Sequence, residues 1–258
     1  MGKEALEKVF LYWLCHLPSA GALQIRLIGE EAGGFREAYY IEGTQLWKKG
    51  ILKKETDVHR FDDWKKEFSR LEEEYYRLSE KGIYFITPLD EMYPSRLYSV
   101  YDYPMGLYVK GNLPQEDKAT AAVIGARNCT AYGREAANYM ARKLAAAGIQ
   151  IISGMALGID GAGHEGALNG GGMTYAVLGC GVDQCYPRSN YELYETIPFH
   201  GGLISEYALK TPPLPRNFPI RNRIISGLSD VILVIEAKEK SGSPITAQSG
   251  LEQGKEIY

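Results

Sequence analysis

Residues 119–161 read ATAAVIGARNCTAYGREAANYMARKLAAAGIQIISGMALGIDG. The run 121–125 is apolar at every position, as expected of a strand covered on both faces rather than one facing water. It ends in Gly125-Ala126-Arg127-Asn128, and 132–147 then carries helical spacing. A second buried strand, 149–153, leads through a glycine-rich turn into a helix over 159–169. Parallel strands need a crossover of this kind, so the alternation predicts a parallel sheet with helices on both faces. Towards the C-terminus the series continues through 174–178, 191–197, 203–205, 221–227, 231–236 and 245–253. The expected fold class is α/β: an extended Rossmann-like, doubly wound, mostly parallel sheet over 76–258.

Towards the N-terminus the pattern is different. Leu6, Val9, Phe10, Trp13 and Leu14 recur at helical spacing, Pro18 and Gly21 punctuate them, and no strand pattern interrupts residues 1–75. A small all-helical domain is expected there, closing on a long charged amphipathic helix over 62–81. From Gly82 short β-rich runs, 83–87 and 107–110, lie among Pro88, Pro94 and Pro104. The final GKEIY reads as the opening of a strand, so a terminal strand or a further domain is expected beyond Tyr258.

Composition bounds the function. The 258 residues are 45% hydrophobic and 24% charged, which excludes disorder and collagen-like repeats. With 29 basic and 32 acidic side chains the chain is not basic throughout, so any polyanion site must be local. Cys15, Cys129, Cys180 and Cys185 are too scattered for a disulfide framework and fit a reduced, cytoplasmic compartment. No signal peptide is expected from the N-terminal MGKEALEKVF, and no membrane-length apolar run is present.

Chemistry concentrates in four turns. In a doubly wound sheet the turn after the first strand lies at the carboxyl edge, where helix amides face an anion. Arg127 adds a charge whose planar fork suits phosphate oxygens; Gly125 and Ala126 read equally as packing or as cradle. Gly154 and Gly158 of the neighbouring turn would extend that cradle. Neither turn has the dinucleotide or P-loop pattern, so no cofactor is expected. Asp160 and His164 read as a helix-start carboxylate and a hydrogen-bonded histidine rather than a metal pair. Cys180 lacks a neighbouring base and reads as structural.

The most informative stretch is KTPPLPRNFPIRNRIISG, 210–227, within a span from Glu206 to Asp230 that has no acidic residue between its ends. Arg216, Arg221 and Arg223 with Asn217 and Asn222 form the expected phosphate clamp, and Phe218 either stacks on a base or packs inward. Ser243 and Thr246, at the start of the last helix, either bind phosphate or cap that helix.

In order along the chain, YPSRL (93–97), LYVKGNL (107–113), AVIGAR (122–127), SGMALGIDGAGHEGAL (153–168), VLGCGVDQCYP (177–187), NFPIRNRIISGLS (217–229), EAKEKSGSPITA (236–247) and LEQGKEIY (251–258) resemble the DNA-processing protein A (DprA/Smf) family. The N-terminal helices resemble that family's sterile-alpha-motif-like or helix-hairpin-helix domain. The resemblance implies a homodimeric mediator without catalysis that binds single-stranded DNA, protects it and loads RecA during natural transformation. It implies phosphate contacts at Arg127, Arg221 and Arg223, and glycines 125, 154, 158 and 179 shaping the groove. Ala126 stands where the family often has serine, and Ile220 where a basic residue is common. Two other classes share the fold signal: a lysine-decarboxylase-like phosphoribohydrolase acting on nucleoside monophosphates, and a protein adaptor. The first requires a Pro-Gly-Gly-x-Gly-Thr loop that Gly170-Gly171-Gly172 does not continue into.

Overall fold

The computed structural model describes the backbone of residues 3–237 and 243–258 and the side chains of 4–237 and 246–258. The chain divides into two units, Met1–Tyr93 with Tyr101–Leu107, and Pro94–Val100 with Tyr108–Tyr258. The first unit contains the helices α1 (Lys3–Cys15), α2 (Ala22–Ala32), α3 (Phe35–Ala38), α4 (Gly43–Lys48), α5 (Glu55–Trp64) and α6 (Phe68–Tyr76), followed by the strand β1 (Ile83–Ile86).

Aromatic residues of this unit build its core. Trp13 of α1 and Trp64 of α5 each donate an indole N–H to the other's backbone carbonyl, at 3.0 and 3.2 Å, and the rings of Phe10 and Phe68 stack at 4.5 Å. Each indole thus satisfies its one donor, the Trp13 ring fully buried and the Trp64 ring partly so. The single helix expected over 62–81 is instead two helices separated by a 3₁₀ turn, Lys65–Glu67. The break falls where the Trp64 carbonyl accepts the Trp13 indole, a tertiary bond that the charge pattern gave no sign of.

The second unit carries β2 (Leu107–Gly111), β3 (Thr120–Gly125), β4 (Gln150–Ser153), β5 (Thr174–Val177), β6 (Gly201–Ser205), β7 (Val231–Ile235) and β8 (Glu256–Ile257). Among the described residues these strands lie in the order β2-β6-β5-β4-β3-β7-β8, parallel throughout except for β2 against β6. The helices are α7 (Ala131–Ala146), α8 (Ile159–Asn169), α9 (Tyr191–Thr196), α10 (Asn217–Gly227) and α11 (Ser243–Glu252). The expected α/β doubly wound sheet is therefore the observed one.

Small residues set its spacing. Ala137, Ala141 and Ala145 recur every fourth position of α7 and bury one face against Ile159, Ala162 and Ala167 of α8 and the β3 residues Ala121 and Val123. A Cβ on Gly166 would lie 2.2 Å from the Asn138 carbonyl, so the two helices are as close as backbones allow. Burying Val123 and Ile151 completely contributes roughly 1.5–3 kcal/mol each.

The strand order also places the ligand edge. From β3 the chain crosses through α7 to β4 on one side, and from β7 through α11 to β8 on the other. The connections leaving β3 and β7 diverge, opening a crevice at their carboxyl ends, which is the usual ligand position in open α/β sheets.

Candidate nucleic-acid interface

A cleft of about 500 Å³ occupies that crevice. One wall is the turn from Gly125 to Asn128; the other is the first two turns of α10, with Phe218, Arg221 and Asn222. Asp160 of α8, Tyr186, Pro215 and Thr246 of α11 also line it. Two glycines make the approach of the turns feasible. A Cβ on Gly125 would sit 1.9 Å from the Ile235 carbonyl. Gly158, at φ +75°, would place one 2.3 Å from the carbonyl of Ala126.

Several backbone amides flanking the cleft are engaged by carboxylates. The carboxylate of Glu236, just beyond β7, accepts the Thr130 amide at 2.9 Å and the Thr130 hydroxyl at 2.7 Å, at the head of α7. Thr130 in turn caps α7 by accepting the Gly133 amide at 3.0 Å. At the head of α8, Asp160 accepts the Gly154 amide at 3.1 Å and a bond from the Ala156 backbone. The Thr130, Gly154 and Ala156 amides near the expected cradle are thus held by the protein's own carboxylates. Sequence reading missed Glu236 because it lies 106 residues from the amide it holds.

The arginines separate into two kinds. Arg221 is 3% exposed and spans the interior: its Nη1 donates to the carbonyls of Gly154, at 2.8 Å, and Val177, and its Nε to Asn222 Oδ1 at 3.2 Å. It ties the ends of β4 and β5 to α10. Burial brings its pKa down to about 10, with Asp160 opposing the shift; burial likewise raises the Asp160 carboxyl, against the pull of Arg221. Arg223 is nearly buried and pairs with Glu206 at 2.8 Å. Arg127 and Arg216, in contrast, are exposed and hold no ion pair or hydrogen bond among the described residues.

Phe218 links these groups. Its ring lies 5.3 Å from the Arg127 guanidinium, 5.9 Å from that of Arg221 and 5.6 Å from the Tyr186 ring, while its edge closes on Gly179. Asn217 is buried and donates to the Gly179 carbonyl at 3.1 Å, locking the head of α10 to the end of the third parallel strand. Of the other expected residues, Gly154, Ala126 and Thr246 are buried at or beside the cleft, and the Ser243 side chain lies outside the described residues. The structure therefore gathers the residues of four separate turns at one place, but presents only part of them to solvent.

Beside the cleft, His164 shares a 2.7 Å bond with the Thr174 hydroxyl and is held by burial at a pKa of about 3, so it is neutral. Cys180 is buried, and its thiol is pushed up to about 11. No cluster of three metal-ligating side chains occurs among the described residues.

The family model for DNA recombination-mediator protein A matches residues 84–258. The DNA processing protein DprA of Bacillus subtilis is 41% identical over 180 residues, which cover 69% of this chain and 61% of that protein. The Smf protein of Escherichia coli is 43% identical over 181 residues, 69% of this chain and 48% of its own. The chain thus spans about half to three fifths of the length of these curated relatives. Among solved structures, DprA of Streptococcus pneumoniae superposes over 97% of this chain and 84% of its own, with TM-score 0.80 and 30% identity. DprA of Helicobacter pylori, described for its single-stranded DNA binding mode, matches over 67% of this chain and 79% of its own, with TM-score 0.61 and 33% identity. With a model matching more than half its length and relatives above 40% identity, the chain belongs to the DNA recombination-mediator protein A (DprA/Smf) family.

Proposed function

We propose that the cleft and its rim hold the phosphate backbone of single-stranded DNA, and that the protein acts as a recombination mediator that protects an incoming strand and passes it to a RecA-type recombinase. The observation that carries the DNA reading is the state of Arg127 and Arg216. Both are exposed and hold no ion pair or hydrogen bond through their side chains among the described residues, the Arg127 guanidinium lying over the Phe218 ring; Arg127 lines the cleft, and Arg216 stands between the lining residues Pro215 and Phe218. Two free guanidinium forks beside an aromatic ring suit a charged chain carrying flat bases. The H. pylori relative, a structure described for its single-stranded DNA binding mode, supports the same reading. Recombinase loading and homodimer formation rest on family membership.

The division of labour follows from burial. Arg127 and Arg216 meet phosphates, whereas Arg221 shapes the cleft from within and Arg223 is neutralised by Glu206. Such a site has no base code, so binding is insensitive to sequence. No reaction is assigned to it. Asp160 is engaged with amides, and the Cys180 thiol is raised by burial, away from the nucleophilic thiolate form.

Fluorescence anisotropy of labelled oligo-dT with the wild type and the variants Arg127→Ala and Arg216→Ala tests the assignment. Each variant is expected to bind more weakly while remaining folded, and incubation with AMP is expected to release no base. Equal affinity in all three proteins removes the arginine rim from the site, and release of adenine moves the cleft to the phosphoribohydrolase class.

A further inference from the structure

The outward face of α7 remains unexplained by the packing. Its buried side is the alanine row at 137, 141 and 145. On the opposite side Tyr132 is 81% exposed and Tyr139 54% exposed, seven residues apart and hence on one stripe about 10 Å long. Lys143, one turn beyond Tyr139, lies on the same stripe, and Arg142 flanks it. The Lys143 ammonium lies 5.7 Å and the Arg142 guanidinium 5.9 Å from the centre of the Tyr139 ring. Neither cation, nor Arg134, forms an ion pair among the described residues. The helix carries three basic residues and one acidic residue, Glu135. Exposed rings with two cations gathered at one of them, neither cation neutralised by a carboxylate, make a surface suited to a polyanion with flat aromatic groups.

The face is also continuous with the cleft. Asn128 lines the cleft, Thr130 caps α7, and Tyr132 stands in the first turn of that helix. A strand leaving the cleft past Arg127 therefore meets Tyr132, and then Tyr139 between its two cations.

We propose that the outer face of α7 is a second segment of the single-stranded DNA path, with bases stacked on Tyr132 and Tyr139 and phosphates held by Arg142 and Lys143. This rests on the reading of the cleft as a strand-binding site and extends it to a longer occluded length. Charge and shape select the occupant: a strand supplies the negative charge that Arg142 and Lys143 call for and the flat bases that stack on Tyr132 and Tyr139.

The test compares a short oligo-dT of about six nucleotides with a long one of about twenty-five, within and beyond the length a single groove occupies. Wild type, Tyr132→Ala/Tyr139→Ala, Tyr132→Phe/Tyr139→Phe and Arg127→Ala are measured by anisotropy. The double alanine variant is expected to lose about thirtyfold or more in affinity for the long strand, from the loss of two stacking platforms, and nothing for the short one. The double phenylalanine variant is expected to bind both as the wild type does, because stacking needs the ring and not the hydroxyl. Unchanged long-strand binding by the double alanine variant overturns the proposal and leaves α7 to a protein partner. Loss of short-strand binding in Arg127→Ala reports on the cleft separately, so failure of the cleft reading and failure of the α7 path give different results.

Discussion

At the scale of single residues, the four arginines that sequence places in one class divide by burial. Arg127 lies on the surface with no hydrogen bond among the described residues, so Arg127→Ala is expected to leave the urea midpoint unchanged while weakening oligo-dT binding by about 1.5–3 kcal/mol, the size of a charge-assisted contact. Arg221→Ala is expected to do the reverse. It strips the Gly154 and Val177 carbonyls of their donor and leaves Asp160 buried without its compensating charge, a loss of about 3–5 kcal/mol visible in urea unfolding. An Arg221→Ala protein as stable as the wild type contradicts its role as an internal brace. A pH effect follows from His164. Its folded pKa of about 3 lies below the ordinary value of 6.5, so between those limits the unfolded chain binds a proton that the folded chain does not. Stability from this group is complete above pH 6.5 and falls as pH drops through the window, by about 1.4 kcal/mol per unit. His16, lowered by burial, acts in the same sense, and Asp160, raised by burial, in the opposite one. Unfolding free energies measured from pH 4 to 7 are expected to lose about one proton's worth of slope in His164→Asn; an unaltered slope refutes the assignment.

At the scale of elements, the strands and crossover helices were legible because their signals are local. The apolar run before Gly125 and the four-residue alanine spacing of α7 each declare one element, and the helix over Ile159–Asn169 has the bounds its sequence predicts. The start of α10 was not legible. Sequence reading begins it at 221, whereas the helix begins at Asn217 and carries Pro219 in its first turn, where the missing N–H has no partner to lose. That shift moves Asn217 and Phe218 from an expected loop onto a rigid helix, which is why both are fixed at the cleft instead of projecting freely. The capping of α7 was equally hidden, since its Glu236 arrives from another strand. Removing that carboxylate in Glu236→Ala deprives the Thr130 amide and hydroxyl of their acceptor, with an expected loss of about 1 kcal/mol in urea unfolding, the usual size of a net hydrogen bond. A variant that unfolds at the wild-type midpoint shows that the α7 head needs no such acceptor.

At the scale of the molecule, the net charge of −3 gives no hint of a DNA partner. On the proposed reading the field is local: Glu206 is neutralised by Arg223, Asp160 and Glu236 are tied to backbone amides, and Arg127 and Arg216 are the exposed cations at the cleft and its rim. Family membership could be read from ordered sequence blocks. Which arginines face solvent could not, because burial is decided by strand ends that meet only in the folded sheet. The measurement that bears most directly on the strand-binding cleft is fluorescence anisotropy with labelled oligo-dT and with a duplex of equal length, each titrated at several salt concentrations. Tighter binding of the single strand is expected, with a log–log salt slope of about −0.7 per phosphate neutralised and a shallower slope for Arg127→Ala. Binding that is absent, that favours the duplex, or whose salt slope is the same in Arg127→Ala contradicts a phosphate-holding cleft at the head of α7.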